Sequence, residues 1–140
     1  YNILSLTEIM DFLLTELPNF DPPALHILRH PRMFSVQVLP KELKEMASEK
    51  IDSFLQLYEA GENRFSSKDP IDAIRGIRSF LWESNTAFLL PEFFRRTEVF
   101  DSHRKQNFFM EFPEWAPYAP PPLKQEILRK SHKLWRQAIS

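Results

Sequence analysis

Ala24-Leu25-His26-Ile27-Leu28-Arg29-His30-Pro31-Arg32-Met33-Phe34-Ser35-Val36-Gln37-Val38-Leu39 decides whether this chain contains a sheet, because no other stretch reads convincingly as strand. Ala24 to Leu28 is short and apolar, as a buried strand is, and Met33 to Leu39 resumes an extended pattern beyond His30-Pro31. Upstream, Leu6, Ile9, Met10, Leu13, Leu14 and Leu17 recur at spacings of three and four, which predicts a helix of about three turns with one apolar face. Ser5-Leu6-Thr7-Glu8 has the S-x-x-E form of a capping box at its start, and Pro18 with the turn-rich Asn19 to Pro23 stops it. A helix followed by an apolar strand is the second half of a β-α-β unit, so the strand before it is expected to end at about Tyr1.

Downstream of this stretch the pattern is helical. Pro40 suits a first helical turn, where its missing N–H costs nothing, and Leu43, Met46, Ala47, Ile51, Phe54, Leu55 and Tyr58 form a stripe opposite Lys41, Lys44, Glu45, Glu49 and Lys50. Gly61 is a natural stop for that helix. A polar loop from Glu62 to Lys68 leads to Asp69-Pro70, which opens a helix carrying Ile71, Ile74, Ile77 and Leu81 and ending near Ser84-Asn85. Pro91 starts another, with Phe93, Phe94 and Phe100, through about Lys105. Asn107 to Pro122 holds prolines and aromatic residues together, a composition that favours an extended strap over helix. Leu123, Ile127, Leu128, Leu134 and Trp135 mark a basic terminal helix.

Composition removes whole classes of function. The chain has 140 residues, and its 43% hydrophobic and 14% aromatic content supplies a core, so wholesale disorder is disfavoured. Eighteen Lys and Arg against nineteen Asp and Glu leave a formal charge of -1, which argues against nonspecific nucleic-acid or acidic-lipid binding. No apolar run approaches the roughly 18 to 20 residues that cross a bilayer, and no charged-then-apolar leader opens the chain, so we expect a soluble cytoplasmic protein with no membrane partner. With no cysteine there is no disulfide, thiol nucleophile or cysteine-held cluster or zinc. Two glycines against twelve prolines disfavour hairpin-rich β folds and glycine-rich nucleotide loops. The chain starts at Tyr1 without an initiator methionine, directly in a helix start, as a piece of something longer does.

The residues that carry chemistry elsewhere are poorly placed here. His26 and His30 would lie on one strand face roughly 13 Å apart, too far to share an ion. His103 follows Asp101 by two positions, and such pairs on a helix point apart. No G-x-S-x-G elbow or Walker loop is present. The terminal segment, with Lys124, Arg129, Lys130, His132, Lys133 and Arg136 against Glu126, fits either a nucleic-acid arm or a helix with cations near its C-terminal end, and the overall charge balance favours the second. The aromatic strap residues Phe108, Phe109, Phe112, Trp115 and Tyr118 are the candidate partner-binding set, their plainer role being to pin the chain onto its core.

The order of segments adds a resemblance. Tyr1-Asn2-Ile3-Leu4, the helix to Leu17, Leu25 through Lys44, Asn85 through Phe93, and Phe100-Asp101-Ser102-His103-Arg104-Lys105-Gln106-Asn107-Phe108 with Phe112-Pro113-Glu114 resemble the C-terminal part of twitch-type radical S-adenosylmethionine proteins, over about the first 115 residues. The resemblance implies a mainly α chain whose residues 1–40 form the last βαβ portion of a partial (β/α) barrel. Residues 41–106 are then a helical extension, 107–122 the strap and 123–140 the terminal helix, all in one compact domain. Tyr1 to Leu4 correspond to a late barrel strand beside the cosubstrate pocket. The family holds a [4Fe-4S] cluster on a C-x-x-x-C-x-x-C loop and cleaves S-adenosylmethionine to a radical. Without cysteine this chain alone is not expected to bind either cofactor or to be an enzyme. The implied function is a non-catalytic C-terminal portion, structural or substrate-side, whose partner is the missing N-terminal half. An independent helical protein-interaction module docking on another chain is the alternative.

Overall fold

The computed structural model describes residues 2–17, 24–60 and 68–121. Five α-helices are found among them: α1 (Leu6–Glu16), α2 (Lys41–Glu59), α3 (Asp69–Glu83), α4 (Leu90–Arg104) and the single turn α5 (Phe108–Glu111). Short 3-10 helices join or precede them: η1 (Asn2–Ser5), η2 (Arg32–Phe34), η3 (Val36–Val38), η4 (Ala87–Leu89) and η5 (Pro113–Tyr118). The chain is mainly α, and no strand occurs among the described residues. It divides into two compact units, Tyr1–Phe88 and Leu89–Ser140. The stop expected at Gly61, most of the loop to Lys68 and the terminal helix from Leu123 lie outside the described residues.

In the first unit α2 and α3 pack along matching apolar faces. Leu43, Ala47, Ile51 and Phe54 of α2 are buried, as are Ile71, Ile74, Ile77, Phe80 and Leu81 of α3. Those i, i+3 and i+4 spacings form the apolar stripe that an amphipathic helix must cover, each such side chain stabilising by roughly 1.5 to 3 kcal/mol when fully buried. Met46, expected in the stripe, is exposed, while Lys44, expected opposite it, is buried, as is Ser48. Across the pair, Arg78 holds Asp52 by two hydrogen bonds of 3.0 Å, and Arg75 meets Glu59 at 2.9 Å.

The βαβ reading of residues 1–40 is corrected by the backbone. Asn2–Ser5 is a 3-10 turn running straight into α1, Ala24–Arg29 has no regular structure, and Met33–Leu39 consists largely of η2 and η3. The physical reason lies at the C-terminus of α3. Ser84 leaves the helix extended, at φ -147° and ψ 152°, and the exposed carbonyls behind it need donors. Gln37 Nε2 donates to Phe80 O at 3.0 Å and Lys44 Nζ donates to Ser84 O at 3.0 Å, while Thr86 N–H donates to Gln37 O at 3.2 Å. Val36–Val38 therefore serves as a cap for α3, and its β-branched residues pack with Val38 and Leu39 buried instead of pairing in a ladder.

The capping box is likewise not formed. Ser5 lies within the helical path of η1 at φ -111° and ψ 6° and makes no side-chain cap bond. Glu8 instead accepts from Thr7 Oγ1 at 3.2 Å and pairs with Lys50 Nζ at 2.8 Å. Lys50 also donates to Leu4 O at 2.8 Å, so one α2 side chain ties down the η1–α1 junction. Burial pushes the Glu8 carboxyl up, but Lys50, the local backbone N–H and Thr7 outweigh it and hold the group below its ordinary value.

Two predictions follow from α3 and its cap. Gly76 is exposed in mid-helix and a Cβ there would meet no atom within 4 Å, so Gly76→Ala is expected to raise stability by about 0.8 to 1 kcal/mol in urea titration. Lys44 is only 3% exposed, and burial lowers its pKa from 10.5. Below the lowered value folded and unfolded chains are both protonated there; between it and 10.5 the unfolded chain binds more protons, so stability rises with pH. The stability of the native chain relative to Lys44→Met should therefore climb through that alkaline window, whereas a flat or falling difference contradicts the assigned burial.

Candidate functional site

In the second unit the aromatic strap is the natural place to look for a site. Its structure begins at the end of α4, where Lys105 adopts the left-handed region, φ 55° and ψ 36°, and Gln106 N–H returns to Asp101 O at 3.0 Å. The next turn is capped twice: Asp101 Oδ2 accepts from Phe108 N–H at 2.6 Å, and Asn107 Oδ1 accepts from Phe109 N–H at 3.0 Å. Asp101, to which sequence alone assigns no role, is thus the anchor that turns the chain back onto α4. Arg104 sits over the Phe100 ring at 5.8 Å, and Phe100, expected on the apolar face of α4, is exposed.

The stretch expected to run as an extended strap is helical over most of its described length. Pro113 opens η5, where its missing N–H is one that a first turn leaves unpaired anyway, and Pro117 is carried inside the 3-10 turns. Short 3-10 turns accept prolines that a long α-helix rejects.

This local folding gathers the expected partner-binding residues into a cluster. Trp115 stacks on Phe93 with centroids 5.0 Å apart and meets Phe108 edge-on at 5.6 Å. Phe93 meets Phe108 edge-on at 5.4 Å, Phe94 stacks on Phe109 at 5.5 Å, and Phe112 lies 5.1 Å from Phe108. Phe108 and Trp115 are buried; Phe109, Phe112 and Tyr118 are half-buried. The cluster therefore forms the packed interior between α4, α5 and η5, with aromatic pairs adding about 0.5 to 1.5 kcal/mol each beyond area burial. Trp115 Nε1 has no hydrogen-bond partner among the described residues and lies amid rings.

Groups for bond-making chemistry are dispersed. His26, His30 and His103 are all exposed, and no three His, Cys, Asp or Glu residues converge on a metal position among the described residues. Glu92 is held between Arg95 and Arg96, whose hydrogen bonds of 2.7 to 2.8 Å pull its carboxyl down to about 2. That group stays ionised as a local ion pair on the surface of α4.

The first unit holds the more open surface. On α1 only Thr7 and Met10 are buried, whereas Phe12 is 61% exposed and Ile9 43%, and Leu17, just past the helix end, is 44% exposed. Sequence periodicity placed Ile9 and Leu17 on a single buried face; Phe12, off that face, was the signal that α1 carries more apolar surface than one contact covers. No described helix is long and apolar enough to cross a membrane. No protein-family model, curated protein or solved structure matches this chain.

The cluster and its anchor generate a paired expectation. Trp115→Ala should cost about 3 to 5 kcal/mol in denaturant unfolding, as large buried aromatics do. Asp101→Ala, which strips a charged acceptor from a part-buried N–H, should cost about 1 to 3 kcal/mol. Equal, negligible losses in both variants would mean that the strap is not packed on α4.

Proposed function

We propose that this chain is a non-catalytic helical module for protein interaction. The observation that supports it is the outward apolar surface of α1, where Ile9 and Phe12 on the eleven-residue helix, and Leu17 just past its end, stand in solvent. Apolar side chains grouped in this way lose free energy to water unless a partner covers them, at about 25 cal/mol per Å².

The reading in which the chain is the C-terminal portion of a radical S-adenosylmethionine protein, docking on a missing N-terminal half, rests on its short sequence pieces. Its βαβ element would be residues 1–40, and the described part of that segment is helix, 3-10 turn and irregular chain, so we place the interaction module ahead of it.

A photo-reactive benzophenone amino acid at position 12, carried by the chain in its native host, tests the proposal. One discrete cross-linked protein is expected, lost on Ile9→Asp and absent when the same group replaces the exposed Glu83. A product indifferent to Ile9→Asp, or equal labelling at both positions, overturns it.

A further inference from the structure

Ala24–Arg29 lies in the first unit and has the side-chain pattern of a strand without the pairing. Ala24, His26 and Leu28 are exposed and Leu25 and Ile27 are half-buried, an alternation of period two. No backbone hydrogen bond joins any of Ala24–His30 to another described residue. The row of N–H and C=O groups is therefore open, which is the condition under which a sheet edge recruits a strand from another chain.

The charge around this open row has one sign. No acidic residue occurs from Pro22 to Lys41. Four guanidinium groups among the described residues are engaged by carboxylates, Arg75 by Glu59, Arg78 by Asp52, and Arg95 and Arg96 by Glu92, while Arg104 lies over the Phe100 ring. Arg29 instead rests on the Phe80 ring, 4.6 Å from its centroid, which fastens the segment to α3 while leaving the charge uncompensated. The side chains of Arg32, His26 and His30 are exposed and make neither a hydrogen bond nor an ion pair with another described residue. Leu28, 53% exposed, adds an apolar contact in the middle.

We infer that Ala24–Arg29 is a strand-addition site for an extended acidic segment of a partner protein. The partner's backbone pairs with the open row, its carboxylates face Arg32, His26 and Arg29, and an apolar residue covers Leu28. A nucleic acid fits less well, since the chain is formally -1 overall and Ala24–Arg29 holds no Phe, Tyr or Trp on which a base would stack. The inference rests on the interaction-module reading and assigns it a second surface, separate from the outer face of α1.

The probe is a fluorescent peptide of alternating valine and glutamate, titrated with the full chain and read by polarisation. Saturable binding is expected that weakens as salt rises from about 0.05 to 0.5 M and falls about tenfold or more in His26→Glu/Arg32→Glu, two exposed positions whose change leaves the helices intact by circular dichroism. Methylating alternate amides on one edge of the peptide should abolish binding, and methylating the other edge should not. Valine–lysine peptide binding as well as valine–glutamate, tolerance of methylation on both edges, or an oligothymidylate binding where the acidic peptide does not, each overturns the inference. Ile9→Asp should leave peptide binding unchanged. A retained cross-link at position 12 without peptide binding counts against this site alone, and the reverse counts against the α1 reading alone.

Discussion

Two donors at the C-terminal end of α3 set the arrangement of the first unit. Gln37 Nε2 and Lys44 Nζ occupy carbonyls that the helix leaves open, at 3.0 Å each. A hydrogen bond from a charged donor contributes about 1.5 to 3 kcal/mol net, and Lys44 also lies 5.7 Å from the Trp82 ring centroid, while Trp82 Nε1 donates to Ser48 Oγ at 2.8 Å. The cost is a buried ammonium, visible in the lowered Lys44 pKa. What the interaction achieves is placement: it draws η3 against α3, fixes Thr86 on Gln37 O, and commits Val36–Val38 to a cap. Once that segment is spent on capping, Ala24–Arg29 has no neighbouring strand among the described residues.

The helices α2, α3 and α4 were legible because their burial follows one period, and Leu43, Ala47, Ile51, Ile71, Ile74 and Ile77 sit where that period puts them. The strands were not legible, for a reason that is general. Strand propensity describes a fit to a half-buried pleated surface, so a β-branched run such as Val36-Gln37-Val38 becomes strand only where a ladder partner exists. Gln37 in its centre was the local sign of a different use, a side-chain amide able to reach a helix end. Capping-box geometry at Ser5 failed for a similar reason, since the S-x-x-E pattern needs an extended residue at the cap and η1 supplies a helical one.

Prolines misled in the second unit. From Asn107 onward, counted together, they argue against helix, but by position Pro113 falls in the first turn of η5, as Pro91, already read as a helix start, does in α4, and neither costs a hydrogen bond. Phe108 and Trp115, named as partner-binding candidates with packing onto the core as their plainer role, are buried in an interior that the second unit builds from aromatic pairs. Binding surface must then be sought in side chains that the sequence assigned to the core or passed over, namely Ile9 and Phe12 on α1, Leu17 just past its end, and the cationic segment ending at Arg32.

The central claim is that Met33–Leu39 caps a helix and that Ala24–Arg29 is consequently unpaired. Amide hydrogen exchange, resolved residue by residue, tests it most directly. The account predicts fast exchange at Leu25, His26, Ile27 and Leu28, and protection at Thr86, whose N–H is bonded to Gln37 O. Alternating protection along Leu25–Leu28 and Met33–Leu39, the mark of a paired ladder, together with an unprotected Thr86, would contradict it.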